Sequence, residues 1–183
     1  MVSPVPPDEP TLTTMRSHTP RAGFTLVELV VVLLFLALLA GALVPRVTDR
    51  LAWARDARRL DGALIISEAV EQYHLDHGAY PVCGDDGSWN QSDQDKFIPV
   101  LVEEGYLEEL PRDPLNNAHY HYRYYVYDQG AAGCSGDSEF YVLGIRGFET
   151  AEFKAKHPGY FKCSARDWSN EFAWVTGGGV SEQ

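Results

Sequence analysis

The most apolar part of the chain lies near its start. Sixteen consecutive residues, Leu29 to Val44, carry no polar side chain, and the apolar character reaches back to Phe24. A helix over these 21 residues is about 32 Å long, close to the roughly 30 Å hydrocarbon core of a bilayer. Two arginines precede the segment, which places its N-terminal side toward the cytoplasm. We therefore predict a transmembrane helix over residues 24–45.

One carboxylate, Glu28, interrupts this apolar segment. A charged side chain at the centre of a membrane span costs roughly 2.5–3.5 kcal/mol, so a segment that served only as an anchor would have no use for it. We expect Glu28 to have a partner of opposite charge. The alternative is that Glu28, near one end of the segment, reaches the lipid headgroups without a partner.

A second helical pattern follows Pro45. Proline lacks a backbone donor and clashes with the preceding turn, so Pro45 should kink or loosen the helix. Apolar residues then recur at helical spacing: Ala63, Ile66, Val70 and Tyr73. This spacing predicts an amphipathic helix over 46–78, with Gly78 as its C-terminal cap. Four charged residues are expected to lie mostly off this apolar face: Asp56, Arg59, Glu68 and Glu71. The whole helix, 24–77, would be about 80 Å long.

Residues 79–183 have the pattern of a globular head. A polar loop is predicted over 82–96 and a short helix over 97–105. Alternation with many aromatic residues predicts strands at 119–127 and 140–145, joined by a Gly-rich hairpin loop, and a third strand at 172–176. We therefore predict an α+β fold, in which a long N-terminal helix packs on a small antiparallel sheet.

The order and spacing of residues around the start of the apolar segment resemble those of type IV pilins and of the pseudopilins of type II secretion systems. The matching residues are Gly23, Phe24, Thr25, Leu26, Val27 and Glu28, followed by the apolar run and Pro45. The resemblance implies a leader, residues 1–23, that prepilin peptidase removes between Gly23 and Phe24, and N-methylation of Phe24. A start at Met15 would give a shorter, more basic leader, and the sequence leaves this open.

The same resemblance implies a structural role without enzymatic activity. Helices stack in such filaments, and the amine freed at Phe24 can neutralise Glu28 of a neighbouring subunit and so fix the register between them. The leading prediction is a subunit of a type IV pilus-like filament, and the alternative is a type II secretion pseudopilin. A membrane-anchored binding or enzymatic domain is a lesser alternative.

The implied partners are other copies of the chain or related subunits, prepilin peptidase, and an inner-membrane assembly platform with its ATPase. The implied location is the bacterial inner membrane before assembly, then the cell envelope or an extracellular filament. The net charge of −11 makes nucleic acid an improbable main partner, because like charges repel.

Three cysteines, Cys83, Cys134 and Cys163, follow the apolar segment, in a part of the chain where an exported protein keeps disulfides. We favour Cys134–Cys163, with Cys83 free, or paired with Cys134 as the alternative. No cofactor and no metal are predicted. His119 and His121 share a strand face, but such pairs are more often cross-strand contacts than metal ligands.

Two features of the sequence bear on calcium binding. Four acidic residues of the polar loop could bind it in principle: Asp85, Asp86, Asp93 and Asp95. Of these, Asp85 and Asp86 are expected to be solvated loop residues instead. The resemblance also brings in calcium, which major pseudopilins hold in a loop near their C-terminus. Here the loop after Ile145 lacks closely spaced Asp and Gly residues, which argues against that site.

Overall fold

The structure, a computed structural model, describes residues 23–82, 88–94 and 97–180, with only the backbone described over 42–46. The first helix, α1, covers Leu26–His77. The chain divides after Ala42 into two compact units. The division falls inside α1.

In the first unit, α1 begins with a local cap. The Thr25 hydroxyl accepts a hydrogen bond from the Glu28 backbone N–H at 3.2 Å, and the Leu29 N–H donates to the Thr25 carbonyl at 3.1 Å. This is the usual way for a threonine to satisfy an N–H group in the first helical turn. The apolar side chains that follow are solvent-exposed, from Leu26 through Leu39.

In the second unit, α1 supplies one wall of the head. The predicted apolar stripe is confirmed, since Ala63, Ile66 and Val70 are fully buried. The predicted cap is confirmed as well: Gly78 has φ +72°, and its N–H donates to the His74 carbonyl at 2.8 Å. A left-handed residue with this bond is the usual helix terminator, and glycine adopts it without strain.

The head contains four antiparallel strands in the order β1-β2-β3-β4. The strands are β1 (Asn90–Gln91), β2 (Tyr122–Tyr127), β3 (Phe140–Ile145) and β4 (Trp174–Gly178). Two short helices accompany them, α2 (Val100–Glu103) and α3 (Ala151–Lys156). The predicted α+β fold is therefore confirmed.

Strand β3 is buried on both faces, because the sheet lies between two hydrophobic cores. Residues Tyr141, Leu143 and Ile145 face the first core, which includes the buried stripe of α1. Residues Phe140 and Val142 face a second core. That core is completed by aromatic residues of the β3–β4 connection, residues 146–173: Phe161, Trp168 and Phe172. The connection thus covers the outer face of the sheet.

Several predicted boundaries are wrong. The predicted helix over 97–105 is only four residues long, at Val100–Glu103, although Gly105 does follow it with φ +83°. The last strand begins at Trp174 rather than at residue 172. Strand β1 lies inside the predicted polar loop, and α3 was not predicted. Both missed elements are short, so they carry too few residues for a period to be recognised.

Candidate functional site

The residues predicted for processing lie at the open end of the first unit. Among the described residues, no atom lies within 4 Å of the position that a Gly23 Cβ would take, and the Phe24 side chain is 83% exposed. Residues 23–25 are not helical, and α1 starts three residues after Gly23. The Gly23–Phe24 peptide bond thus lies outside α1, between two exposed residues.

Glu28 lies in the first turn of α1 and is exposed. A carboxylate there interacts favourably with the positive end of the helix dipole. Among the residues that the structure describes, no basic side chain pairs with it.

Within 23–82, 88–94 and 97–180, no helix is both long enough and apolar enough to cross a bilayer.

A buried charge cluster joins three parts of the head. It consists of Arg55, Asp56, Arg59, Asp113 and Glu149. At its centre the fully buried Arg59 guanidinium donates through Nε to Asp113 at 2.6 Å, and through Nη1 to Asp56 at 2.6 Å. The same Nη1 lies 2.9 Å from Glu149. One cation therefore links α1, the loop before β2 and the β3–β4 connection.

Arg55 and the Tyr120 ring add further contacts to this charge cluster. Arg55 binds Glu149 through two hydrogen bonds, of 2.8 Å and 2.5 Å. The Arg59 guanidinium also lies 4.5 Å from the centre of the Tyr120 ring, within the range of a cation–π contact. Burial lowers the pKa of Arg59, but the bonds to Asp113, Glu149 and Asp56 outweigh it and raise that pKa above its usual value. Arg59 is therefore a fixed positive charge.

The predicted placement of two charged residues is wrong. Asp56 and Arg59 were expected off the apolar face of α1, yet both are fully buried. They precede Ala63 by seven and four residues, so helical spacing puts them on the buried face. Glu68 is exposed as predicted. Charged residues are rarely buried without partners, and here Arg59 and Asp56 pair with each other and with groups far away in sequence.

The chain is similar to proteins of type II secretion. It is 32% identical over 131 residues to the type II secretion system core protein G of Pseudomonas aeruginosa, a match that covers 70% of the chain and 87% of that protein. The chain belongs to the type II secretion core protein G family of pseudopilins. The Vibrio cholerae protein of the same name is 27% identical over 150 residues, which cover 75% of the chain and 90% of that protein.

The Aeromonas hydrophila core protein G is 26% identical over 129 residues, which cover 69% of the chain and 85% of that protein. No family model matches the sequence, and no solved structure matches it. Of the two filament types that the sequence left open, the comparisons favour the secretion pseudopilin over the pilus.

The β3–β4 connection of this pseudopilin does not fit a calcium ion. It has four carboxylates, each of which already has a partner: Glu149 (Arg55 and Arg59), Glu152 (Lys156), Asp167 (the Ser169 N–H) and Glu171 (Arg166). Calcium needs six to eight oxygen ligands. In the described part of the chain, no group of three or more His, Cys, Asp or Glu residues is placed to hold a metal ion.

The two histidines considered as metal ligands lie in different environments. His119 is exposed, whereas His121 is 1% exposed. The His121 Nδ1 lies 2.9 Å from the Asn117 carbonyl, and its Nε2 accepts a hydrogen bond from Arg123 Nε at 3.1 Å. Burial, despite the Asn117 bond, lowers the pKa of His121. Both ring nitrogens are thus used within the head.

The pseudopilin head contains a disulfide between Cys134 and Cys163, with the two Cα atoms 4.8 Å apart. This is the pair that the sequence favoured. It ties the β2–β3 loop to the β3–β4 connection beside the second core. Several residues considered earlier lie outside the described residues: Cys83, Asp85, Asp86 and Asp95, together with the side chain of Pro45.

Proposed function

We propose that this protein is a structural subunit of a type II secretion pseudopilus, with no catalytic activity of its own. The observation that carries the proposal is the match to a core protein G along 87% of that relative's length. The sequence order Gly23, Phe24, Glu28 supports it independently, because these residues resemble the processing and assembly signal of the family.

Processing is the first step of the proposed function. Prepilin peptidase cuts between Gly23 and Phe24, removes residues 1–23 and leaves Phe24 as an N-methylated terminus. The open surroundings of Gly23 support this cut. Before assembly, residues 24–45 hold the subunit in the inner membrane, residues 46–78 form the amphipathic helix, and residues 79–183 form the head in the envelope. An inner-membrane assembly platform and its ATPase then drive polymerisation.

Assembly uses the charge of Glu28. The new Phe24 amine of one subunit pairs with Glu28 of a neighbour as the apolar helices stack. A buried charge without its partner is strongly unfavourable, so this pair sets the axial register. The exposed position of Glu28 in the first turn of α1 is compatible with such a contact. Pro45 loosens α1 where the apolar segment ends.

Mass spectrometry of subunits from sheared or overproduced filaments tests the processing step. We expect a mature subunit that starts at methylated Phe24. A subunit that retains residues 15–23 contradicts the proposed cut. In the native host, deletion of the gene should abolish protein secretion. Loss of surface pili with normal secretion would instead indicate a pilus subunit.

Glu28→Gln tests the assembly step. The variant should be processed but should form few or no filaments, because the Phe24 amine then lacks its carboxylate. Glu68→Gln is the matched control, since Glu68 is an exposed glutamate on the same helix. Normal filaments of Glu28→Gln, counted by electron microscopy, would rule out the register role.

A further inference from the structure

The carboxylates around Arg59 come from three separate parts of the head. Asp56 belongs to α1, Asp113 to the loop before β2, and Glu149 to the β3–β4 connection. In many proteins, carboxylates that converge from distant segments are joined by a divalent ion. Here a guanidinium occupies the central position: its Nε and Nη1 contact carboxylate oxygens, while its buried Nη2 has no hydrogen-bond partner among the described residues.

We propose that Arg59 is the resident cation of this head, so that the head folds and remains folded without a bound divalent ion. This inference concerns the folding of the subunit and does not rest on its proposed assembly. A cation that is covalently attached to α1 is present at every calcium concentration. The segments it joins therefore stay joined whether the surroundings contain calcium or not.

The remaining carboxylate oxygens of the charge cluster are also occupied. Asp56 Oδ2 accepts from the Thr150 N–H at 2.9 Å and from its hydroxyl at 2.8 Å. Asp113 Oδ1 accepts from the Leu115 N–H at 2.8 Å and from the Asn116 N–H at 3.2 Å. These bonds hold the carboxylates in place and use the lone pairs that a metal would need.

The positive charge of Arg59 is essential to this arrangement, because the carboxylates around it would otherwise repel one another. The titratable or charged groups near Arg59 come from every adjoining segment: Arg55, Asp56 and Asp61 of α1, Asp113 of the loop, Tyr120 and Tyr122 at β2, and Glu149 of the connection. Without Arg59, the carboxylates of Asp56, Asp113 and Glu149 would face one another with no cation between them.

The first experiment uses the purified full chain in detergent with its disulfide intact. Thermal unfolding is followed by tryptophan fluorescence in excess EDTA and in excess CaCl2, at matched ionic strength. We expect the same Tm in both solutions. A Tm that falls in EDTA and recovers with calcium would overturn the proposal, because a required ion stabilises the folded state by mass action.

The second experiment compares Arg59→Met with Arg59→Lys across pH. Arg59→Met keeps most of the apolar stem but removes the charge, and its Tm near neutral pH should fall by roughly 10 °C. If Arg59 acts as the cation, the Tm difference between Arg59→Met and the wild type should become smaller as the pH falls toward about 5. Protonation of the carboxylates around position 59 then relieves their mutual repulsion in the variant. The Tm difference between Arg59→Lys and the wild type should change less with pH, because lysine keeps a positive charge.

A Tm difference that does not change with pH would mean that Arg59 acts only by packing, and would overturn the proposal. The proposal would also be overturned if the Tm difference from the wild type decreased equally in Arg59→Lys and Arg59→Met. If Arg59→Met does not fold at neutral pH, its refolding is compared at neutral pH and at about pH 5. Recovery at the lower pH supports the proposal, and failure at both contradicts it.

Discussion

Trp53 of α1 and Phe153 of α3 pack edge to face, with their ring centroids 5.0 Å apart. Phe153 is 1% exposed, whereas Trp53 is 40% exposed. The Thr150 side chain accepts from the Phe153 N–H and so caps α3. A helix of six residues is not stable alone. The aromatic contact and the cap therefore hold α3 against α1.

Phe153→Ala should lower the free energy of unfolding by about 3–5 kcal/mol, because a large buried ring is replaced by a cavity. Amide hydrogen exchange should accelerate over residues 149–157, where α3 and its cap lie. Lys154→Ala is the matched control, since Lys154 is exposed in the same helix. Equal losses in the two variants would show that the Phe153 ring is not what holds α3.

The Cys134–Cys163 disulfide should stabilise the head measurably. It closes a loop with a sequence separation of 29 residues. The chain-entropy estimate for a loop of this size is about 3–4 kcal/mol, so the double Cys134→Ser, Cys163→Ser variant should lose approximately that much in chemical denaturation.

Cys83→Ser is the control for the disulfide and should leave stability unchanged. Peptide mapping without reduction should recover Cys134 and Cys163 in one linked fragment. If Cys83→Ser is as damaging as the double variant, the alternative pair with Cys83 is correct. If no variant changes the denaturation midpoint, the second core holds the connection without help from the disulfide.

Much of the fold was predictable because its main elements repeat a pattern over many residues. The stripe at Ala63, Ile66 and Val70 extends over several turns, and β3 has the predicted bounds. Short elements offer no such repeat. Strand β1 has two polar residues and forms only by pairing with Arg123 and Tyr124 of β2, a contact that sequence spacing does not reveal.

The charge cluster was missed for a different reason. Arg59 and Asp56 have residue types that are normally exposed, so residue type favours the surface although their spacing from Ala63 favours the buried face. Their partners follow Arg59 by 54 and 90 residues, at Asp113 and Glu149, and only the folded chain brings them together. The useful signal was present, since both charged residues occur at helical spacing with the buried stripe.

Two glycines of α1 provide a matched comparison of packing. A Cβ on Gly62 would lie 2.5 Å from the Tyr122 hydroxyl oxygen and 3.2 Å from Pro111 Cβ. A Cβ on Gly41 would have no atom of the described residues within 4 Å. Alanine favours helix by about 1 kcal/mol over glycine at either position. At Gly62 the steric cost, typically 1–3 kcal/mol, should exceed this gain.

We therefore expect Gly62→Ala to lower the Tm and Gly41→Ala to leave it unchanged or raise it. Gly62→Ala should also weaken the hydrogen bond of 3.1 Å from the Tyr122 hydroxyl to the Arg59 carbonyl, since the Cβ displaces that hydroxyl. Thermal unfolding of the two variants side by side measures the difference. A more stable Gly62→Ala would mean that the helix tolerates closer contact with β2.

Acid should destabilise the head through Glu149. The hydrogen bonds from Arg55, together with those from Arg59, outweigh burial and hold the pKa of Glu149 below its ordinary value. Because the pKa is lower in the folded state, the unfolded chain takes up the proton first as the pH falls. The stabilisation is complete above the unfolded pKa and is lost as the pH falls through the folded one.

The Tm of the wild type should thus fall as the pH drops below the ordinary pKa of a glutamate. Glu149→Gln should have a lower Tm at neutral pH and a shallower fall in acid, because it cannot be protonated. Glu68→Gln, at an exposed position of α1, should keep the wild-type slope. If Glu149→Gln lost stability in acid as steeply as the wild type, the acid sensitivity would belong to other carboxylates and the Arg55–Glu149 pair would contribute little to it.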